Sequence, residues 1–214
     1  MSRIDSSHMQ AVNKIRDNSH FLYSVSRDMC IKQWDVESLK QTNIIEDAHD
    51  LNITALTLYD DELNSIHDKL YTGSRDYSVK CWDITTQTCI SKYSSARNVV
   101  TDMQFLGGTN HTLVQSSEDL SLRVWDIRSS SKLGNPAIHI KKYTYFPLCI
   151  DVNNNGYHVA SGCKGFNSNG CDIVIWDLRN SKEPITVCKK GHSQDVTCCK
   201  YLHGENVISC SKDG

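Results

Sequence analysis

The chain has 214 residues, 39% of them hydrophobic and 22% charged, with 23 basic residues against 25 acidic ones and a net charge of -2. This composition suits one or two globular domains with a buried core and excludes a wholly disordered chain. It provides no broad electrostatic pull toward a phosphate backbone or an anionic membrane, so nucleic-acid binding and membrane insertion are not expected.

The opening stretch "MSRIDSSHMQAVNKIRD" lacks the apolar run of a signal peptide. No segment reaches the roughly 18 apolar residues of a membrane span. The ten cysteines are therefore read in a reducing, cytoplasmic setting. Most alternate with apolar neighbours, as in "SVKCWDI" and "VTCCKYL", and read as small buried hydrophobes. There is no C-x-x-C pair, so neither metal nor redox cofactor is expected, and nothing points to a small-molecule ligand.

Trp-Asp pairs at Trp34, Trp82, Trp125 and Trp176 recur at intervals of 48, 43 and 51 residues. The interval is close to that of a four-stranded propeller blade, about 40 to 45 residues. Short alternating runs such as "SVKCW" and "SLRVW" read as strands, helical periodicity is absent, and an all-β chain is predicted. Its units fall at about 8–47, 48–94, 95–143, 144–190 and 191–214.

In chain order, the first unit carries His8, Ser24, Asp28 and Trp34, and the second His49, Thr72, Asp76 and Trp82. Within the second, "YDDELNSIHDKL" (59–70) reads as a solvated acidic connection. The third contains "SSARNVVTDMQF", with no His, and has Gln115 where Ser or Thr is expected, although Asp119 and Trp125 remain. Its polar chain is broken or differently made, so truncating Gln115 should cost far less than truncating Trp82. "GGTN" (107–110) and "NNNG" (153–156) supply residues tolerant of positive φ between strands. The fourth unit also lacks the His, and "CKGFNSNGCD" enlarges the turn ahead of Trp176, leaving Asp172 only four residues before it. The fifth begins a set with His192, Ser209 and Asp213 and then stops at "ISCSKDG". From this a fragment or truncated product is expected, poorly folded by itself.

The recurring order of His, Ser/Thr, Asp and Trp resembles the WD-repeat family, in which these residues form a hydrogen-bonded chain across each blade. The resemblance implies part of a seven-bladed propeller that binds other proteins. The same residue types could be misread as a Ser-His-Asp catalytic set, but an enzyme needs one activated site rather than a periodic series. The order of irregular units is also similar to one member of the family, which implies a non-enzymatic adaptor in ciliary traffic.

In the family's layout, the His-bearing loops and the turns with the repeated Asp lie on one face. Arg27, Arg75, Glu118 and Lys212, each just before that Asp, are thereby expected to be exposed and available to a partner, as are Asn52, Val99 and Asp195 before the first strand of their units. Phe166, in the enlarged turn, is read as an inward plug ahead of a contact residue. "WDIR" and "WDLR" place Arg128 and Arg179 two residues after the Asp, resembling the W-D-x-R box by which some WD proteins dock to a cullin-RING ubiquitin ligase. A substrate receptor of such a ligase is the alternative function.

Overall fold

The computed structural model describes residues 7–59, 69–107, 111–128 and 135–214. Among them there is no helix, and hence none long and apolar enough to cross a membrane. Most of the acidic connection 59–70 and of "GGTN" lies outside the described residues. The chain divides into two units, Met1–Ser94 and Ser95–Gly214.

The first unit holds two antiparallel four-stranded sheets. One runs β1 (Val12–Asp17), β2 (Phe21–Ser26), β3 (Ile31–Asp35), β4 (Gln41–Ile45); the other β5 (Ile53–Leu58), β6 (Lys69–Ser74), β7 (Val79–Asp83), β8 (Thr88–Tyr93). In the second unit, β9 (Val100–Phe105), β10 (Thr112–Ser117), β11 (Ser121–Asp126) and β12 (Ile138–Ile140) form one sheet. Strands β13 (Phe146–Val152), β14 (His158–Lys164), β15 (Ile173–Asp177) and β16 (Thr186–Cys188) form the next, and β17 (Val196–Tyr201) pairs with β18 (Val207–Ser211). The fold is all-β, and each four-stranded meander is the blade of a WD40 β-propeller.

In the second and fourth sheets burial falls off at the last strand. In the second sheet "ITALTL" and "KLYTGS" are nearly all buried, whereas "TCISKY" of β8 is exposed along most of its length. The inner strands meet the neighbouring sheet, so Tyr23, Val25, Ile53, Leu56, Leu70 and Trp82 join in one core. In the second unit Val114, Leu122, Ile140, Ile150, Val159 and Trp176 do the same. The cysteines do not all read as core. Cys81, Cys149, Cys163, Cys171 and Cys199 are buried, but Cys89 and Cys188 lie on outermost strands, and they and Cys198 and Cys210 are exposed.

The first strand of every sheet slips register by one residue near its start, after Val12, Ile53, Val100, Pro147 and Val196. A bulge of this kind re-aims the extra side chain. Asn13 and Thr101, the extra residues in β1 and β9, point at the neighbouring sheet: Asn13 Nδ2 donates to the Ile53 carbonyl at 2.5 Å, and Thr101 Oγ1 to the Pro147 carbonyl at 2.6 Å. Close approach at the next interface requires glycine. A Cβ on Gly162 of β14 would lie 2.5 Å from Val196 Cγ1 and 2.7 Å from Cys149 Sγ.

The hairpin after the second strand carries the repeated Asp, and the residue following it is left-handed: Met29 at φ 65°, Tyr77 at 68° and Leu120 at 65°. This conformation turns the chain within two residues and places the Asp side chain beneath the loop that precedes the sheet.

Candidate functional site

In the first two sheets the His, Ser/Thr, Asp and Trp side chains are joined end to end. Trp34 Nε1 donates to Ser24 Oγ at 2.8 Å, Ser24 Oγ lies 2.8 Å from His8 Nε2, and His8 Nδ1 lies 2.9 Å from Asp28 Oδ2. The second copy repeats the distances: Trp82 to Thr72 2.8 Å, Thr72 to His49 2.7 Å, His49 to Asp76 2.9 Å. One proton arrangement satisfies all of them, with the hydroxyl donating to Nε2 and the imidazole donating from Nδ1 to the carboxylate. A neutral histidine then has both ring nitrogens used, and the hydroxyl oxygen has already accepted the indole hydrogen. Ser24 and Thr72 are only 3% and 0% exposed, so neither hydroxyl is presented to a substrate. In the fifth unit His192 reaches Ser209 at 2.8 Å and Asp213 at 3.2 Å.

Burial shifts the titration of these groups. Burial lowers the His49 pKa from its ordinary 6.5, and the hydrogen bond and charge of Asp76 only partly oppose this. Burial also pushes Asp76 upward, but hydrogen bonds from His49 and Ser78 more than offset it and hold the carboxyl well below the usual range. A depressed histidine pKa means that the unfolded chain binds more protons below the ordinary imidazole value. Stability is then complete above about pH 6.5 and declines as pH falls through it. Urea titrations at about pH 7.5 and about pH 5.5 should show a lower midpoint at the acid value, with a smaller drop in His49→Gln. Asp76 stays ionised across that range and does not contribute to the difference.

The third sheet builds its polar chain from other residues. Trp125 Nε1 donates to Gln115 Oε1 at 2.9 Å, so Gln115, only 1% exposed, holds the indole. Its removal would orphan a buried donor at about 1 to 3 kcal/mol, which is still less than the loss of a buried tryptophan ring. Asp119 is taken by Arg123, whose Nη2 forms an ion pair with Oδ2 and also donates to the Ser95 carbonyl at 3.1 Å. Burial raises the Asp119 pKa, but hydrogen bonds from Arg123, Ser121 and the Arg97 N–H outweigh it and bring it to about 2. Arg123 stands four residues after its Asp, where the first two repeats have Lys32 and Lys80. Those lysines donate to the carbonyl just before the histidine, Ser7 at 3.2 Å and Ala48 at 2.7 Å. Arg123 makes the same carbonyl contact and reaches the carboxylate as well.

In the fourth sheet Trp176 Nε1 donates to the Tyr143 hydroxyl at 2.8 Å, and that hydroxyl lies 2.5 Å from Ser161 Oγ. Ser161 passes its hydrogen to the Val174 carbonyl at 3.1 Å. The enlarged turn closes through backbone: Cys163 N–H donates to the Asp172 carbonyl at 2.9 Å, and Phe166 and Asn169 bond to each other.

The residues expected at a binding rim share a backbone register. The N–H of Arg75 donates to the Asn52 carbonyl, that of Glu118 to Val99 and that of Lys212 to Asp195. Arg27 and Arg75 are exposed on adjoining sheets, and no ion pair engages their side chains among the described residues. Glu118, Asn52 and Asp195 are half-buried, and Lys212 Nζ is bound to Asp195 Oδ2 at 2.8 Å. Val99 is corrected: it is 7% exposed, because its carbonyl faces the rim while its side chain enters the core. Phe166 is no inward plug; it is 56% exposed and meets Phe146 edge-to-face, ring centres 6.1 Å apart.

Arg128 and Arg179 follow the far ends of β11 and β15, opposite the Asp-bearing turns. Each forks onto its own repeat's aspartate, Arg128 Nη2 to Asp126 at 2.9 Å and Arg179 Nη2 to Asp177 at 2.7 Å. These hydrogen bonds hold both carboxyls at about 2. Arg179 also stacks 3.6 Å from the Tyr157 ring centre.

Among known proteins, the profile of the WD domain, G-beta repeat, matches residues 2–35, 40–83 and 182–214. The unmatched 84–181 contains the third sheet and the first three strands of the fourth, the two sheets whose histidine is replaced. The chain is similar to the E3 ubiquitin-protein ligase COP1 of Arabidopsis thaliana, 27% identical over 92% of this chain and 28% of that protein. It is also similar to the ribosome biogenesis protein YTM1 of Laccaria bicolor, 27% identical over 59% of this chain and 27% of that protein. Periodic tryptophan protein 2 of Arabidopsis thaliana is 36% identical over 28% of this chain and 6% of its own length. The chain thus spans under a third of the length of these curated relatives. With the matched profile over more than half its residues and a four-stranded sheet at four of the five repeats, the chain belongs to the WD-repeat family.

Proposed function

We propose that the protein is a non-enzymatic scaffold that engages other proteins through the rim bearing Arg27 and Arg75. WD repeats are protein-interaction modules, and one observation carries the choice of rim: two guanidinium groups stand exposed on adjoining sheets without an ion-pair partner among the described residues. Guanidinium forks onto carboxylates and stacks on aromatic rings, which makes it a frequent interface anchor. A cytoplasmic site of action agrees with the cysteine usage. The order of the histidine-less third unit, the Gly/Asn-rich fourth turn and "KKGHSQDVTCCKYL" resembles WD repeat-containing protein 31 most strongly from about Tyr71 to Leu202, which supports an adaptor in ciliary traffic.

A ligase-receptor role is the second reading. The two W-D-x-R sequences favour it, and a relative over most of the chain is named as a ubiquitin ligase. Affinity purification separates the two. Arg27→Glu with Arg75→Glu should remove a defined set of bound proteins while leaving the thermal midpoint within a few degrees, since exposed substitutions usually cost within about 0.5 kcal/mol. Loss of a cullin adaptor alone, on Arg128→Glu with Arg179→Glu, would instead support the receptor. An unchanged set of bound proteins in the Arg27/Arg75 variant would overturn the rim assignment.

A further inference from the structure

In the third sheet Ala96 follows Ser95 at the position where the first two sheets carry His8 and His49, each preceded by the carbonyl that a Lys or Arg engages. A methyl group cannot fill the space of an imidazole. Beside Arg123 there is a cavity of about 440 Å³, lined by Ser95, Arg97, Asp119, Arg123, His139 and Lys141 among others.

Two independent features mark it as more than a packing gap. Polar groups on its wall are left with unused hydrogen-bonding capacity: the Arg123 Nε–H, on a side chain only 2% exposed, and the Ser95 hydroxyl, both buried and without a partner. Its charge is also one-sided. Arg97, Arg123 and Lys141 face a single carboxylate, Asp119, which Arg123 already occupies. Neither the Arg97 nor the Lys141 side chain is ion-paired among the described residues. The surplus is felt at His139, whose pKa is lowered first by burial and then by the positive charges of Arg123, Lys141 and Arg97, against the opposing pull of Asp119. The net charge of -2 on the whole chain makes this concentration local.

We propose that this cavity is a binding pocket for a phosphomonoester carried on a side chain of a partner protein. Three cations less one carboxylate leave about two positive charges, which a phosphomonoester of about -1.5 to -2 neutralises and a single carboxylate does not. Three phosphate oxygens match donors on Arg97, Lys141 and His139, with Arg123 behind them supplying field and position. A polypeptide is favoured over a nucleotide because, of the two aromatic rings on the wall, Tyr143 is buried and bound to Trp176 and Ser161, and His139 is used as a phosphate donor, so neither is left to stack on a base. The pocket rests on the scaffold reading and refines it.

The test uses the full chain and a fluorescein-labelled pentapeptide, Gly-Gly-phosphoserine-Gly-Gly, followed by polarisation, with the unphosphorylated peptide, inorganic phosphate and AMP as separate arms. The phosphopeptide should bind at least about tenfold more tightly than its unphosphorylated form, and Arg97→Ala with Lys141→Ala, both at exposed residues, should remove that difference. Arg27→Glu with Arg75→Glu should leave it unchanged. Equal binding of the two peptides, or an undiminished preference in the Arg97/Lys141 variant, would overturn the pocket. Tighter binding of AMP or inorganic phosphate than of the phosphopeptide would overturn the polypeptide source. If the Arg27/Arg75 variant loses its bound proteins while the phosphopeptide never binds, the scaffold stands and the pocket alone fails.

Discussion

Replacing Trp82 by alanine should destabilise the protein by about 3 to 5 kcal/mol, the range for deleting a large aromatic ring from a packed core. The ring is 6% exposed and packs with Leu56, Leu70 and Ile84 in the core shared by the first two sheets. Its loss removes the donor at the end of the Trp82, Thr72, His49, Asp76 chain as well as the apolar surface, and frees Lys80, whose Nζ sits 5.6 Å from the ring centre. Thr72→Val is the informative comparison. It keeps the volume but orphans both the indole N–H and His49 Nε2, which should cost about 1 to 3 kcal/mol. Urea unfolding of both variants would show the tryptophan loss exceeding the threonine loss. The reverse order would mean that the polar chain, rather than the ring, dominates the stability of this blade.

Arg123→Leu should be comparably severe, at about 3 to 5 kcal/mol, the usual consequence of stranding one member of a buried ion pair. Asp119 would remain charged beneath the loop with only Ser121 and the Arg97 N–H to bind it. Adding Asp119→Asn should recover a large part of the loss, because a neutral amide needs far less compensation than a carboxylate. If the double variant is no more stable than Arg123→Leu, the arginine acts through packing and the ion pair contributes little.

The blades and the two complete histidine sets were legible because the Ser/Thr, Asp and Trp keep fixed offsets of four and six residues, and a sheet that repeats its register repeats its spacing. Arg123 was legible in principle: its position is cationic in three successive units, and only the arginine fork is long and planar enough to hold the carbonyl and the carboxylate together. Tyr143 was not. It enters from the connection between β12 and β13, outside the offsets of the motif, and only its packing against Trp176 shows that its hydroxyl joins the chain. Val99 misled for a related reason. Sequence spacing locates the backbone at the rim, but it does not show that this side chain is buried beside Val100. The missing histidine of the third unit was visible in the sequence, but the open space beside Arg123 was not, since spacing does not show which side chains fill a gap.

The left-handed residues after the repeated aspartates have a consequence for which substitutions the chain can accept. Met29, Tyr77 and Leu120 each hold a conformation that costs an ordinary L-residue about 1 to 2 kcal/mol. Selection for stability alone would favour asparagine or glycine at all three, while valine, isoleucine and threonine would be purged. A saturation library scored by folded yield should therefore show the same narrow profile three times, 48 and 43 positions apart, in register with the tryptophans. That periodic intolerance would make the blade readable from variant counts alone, including in the third unit, where the histidine that usually announces it is gone.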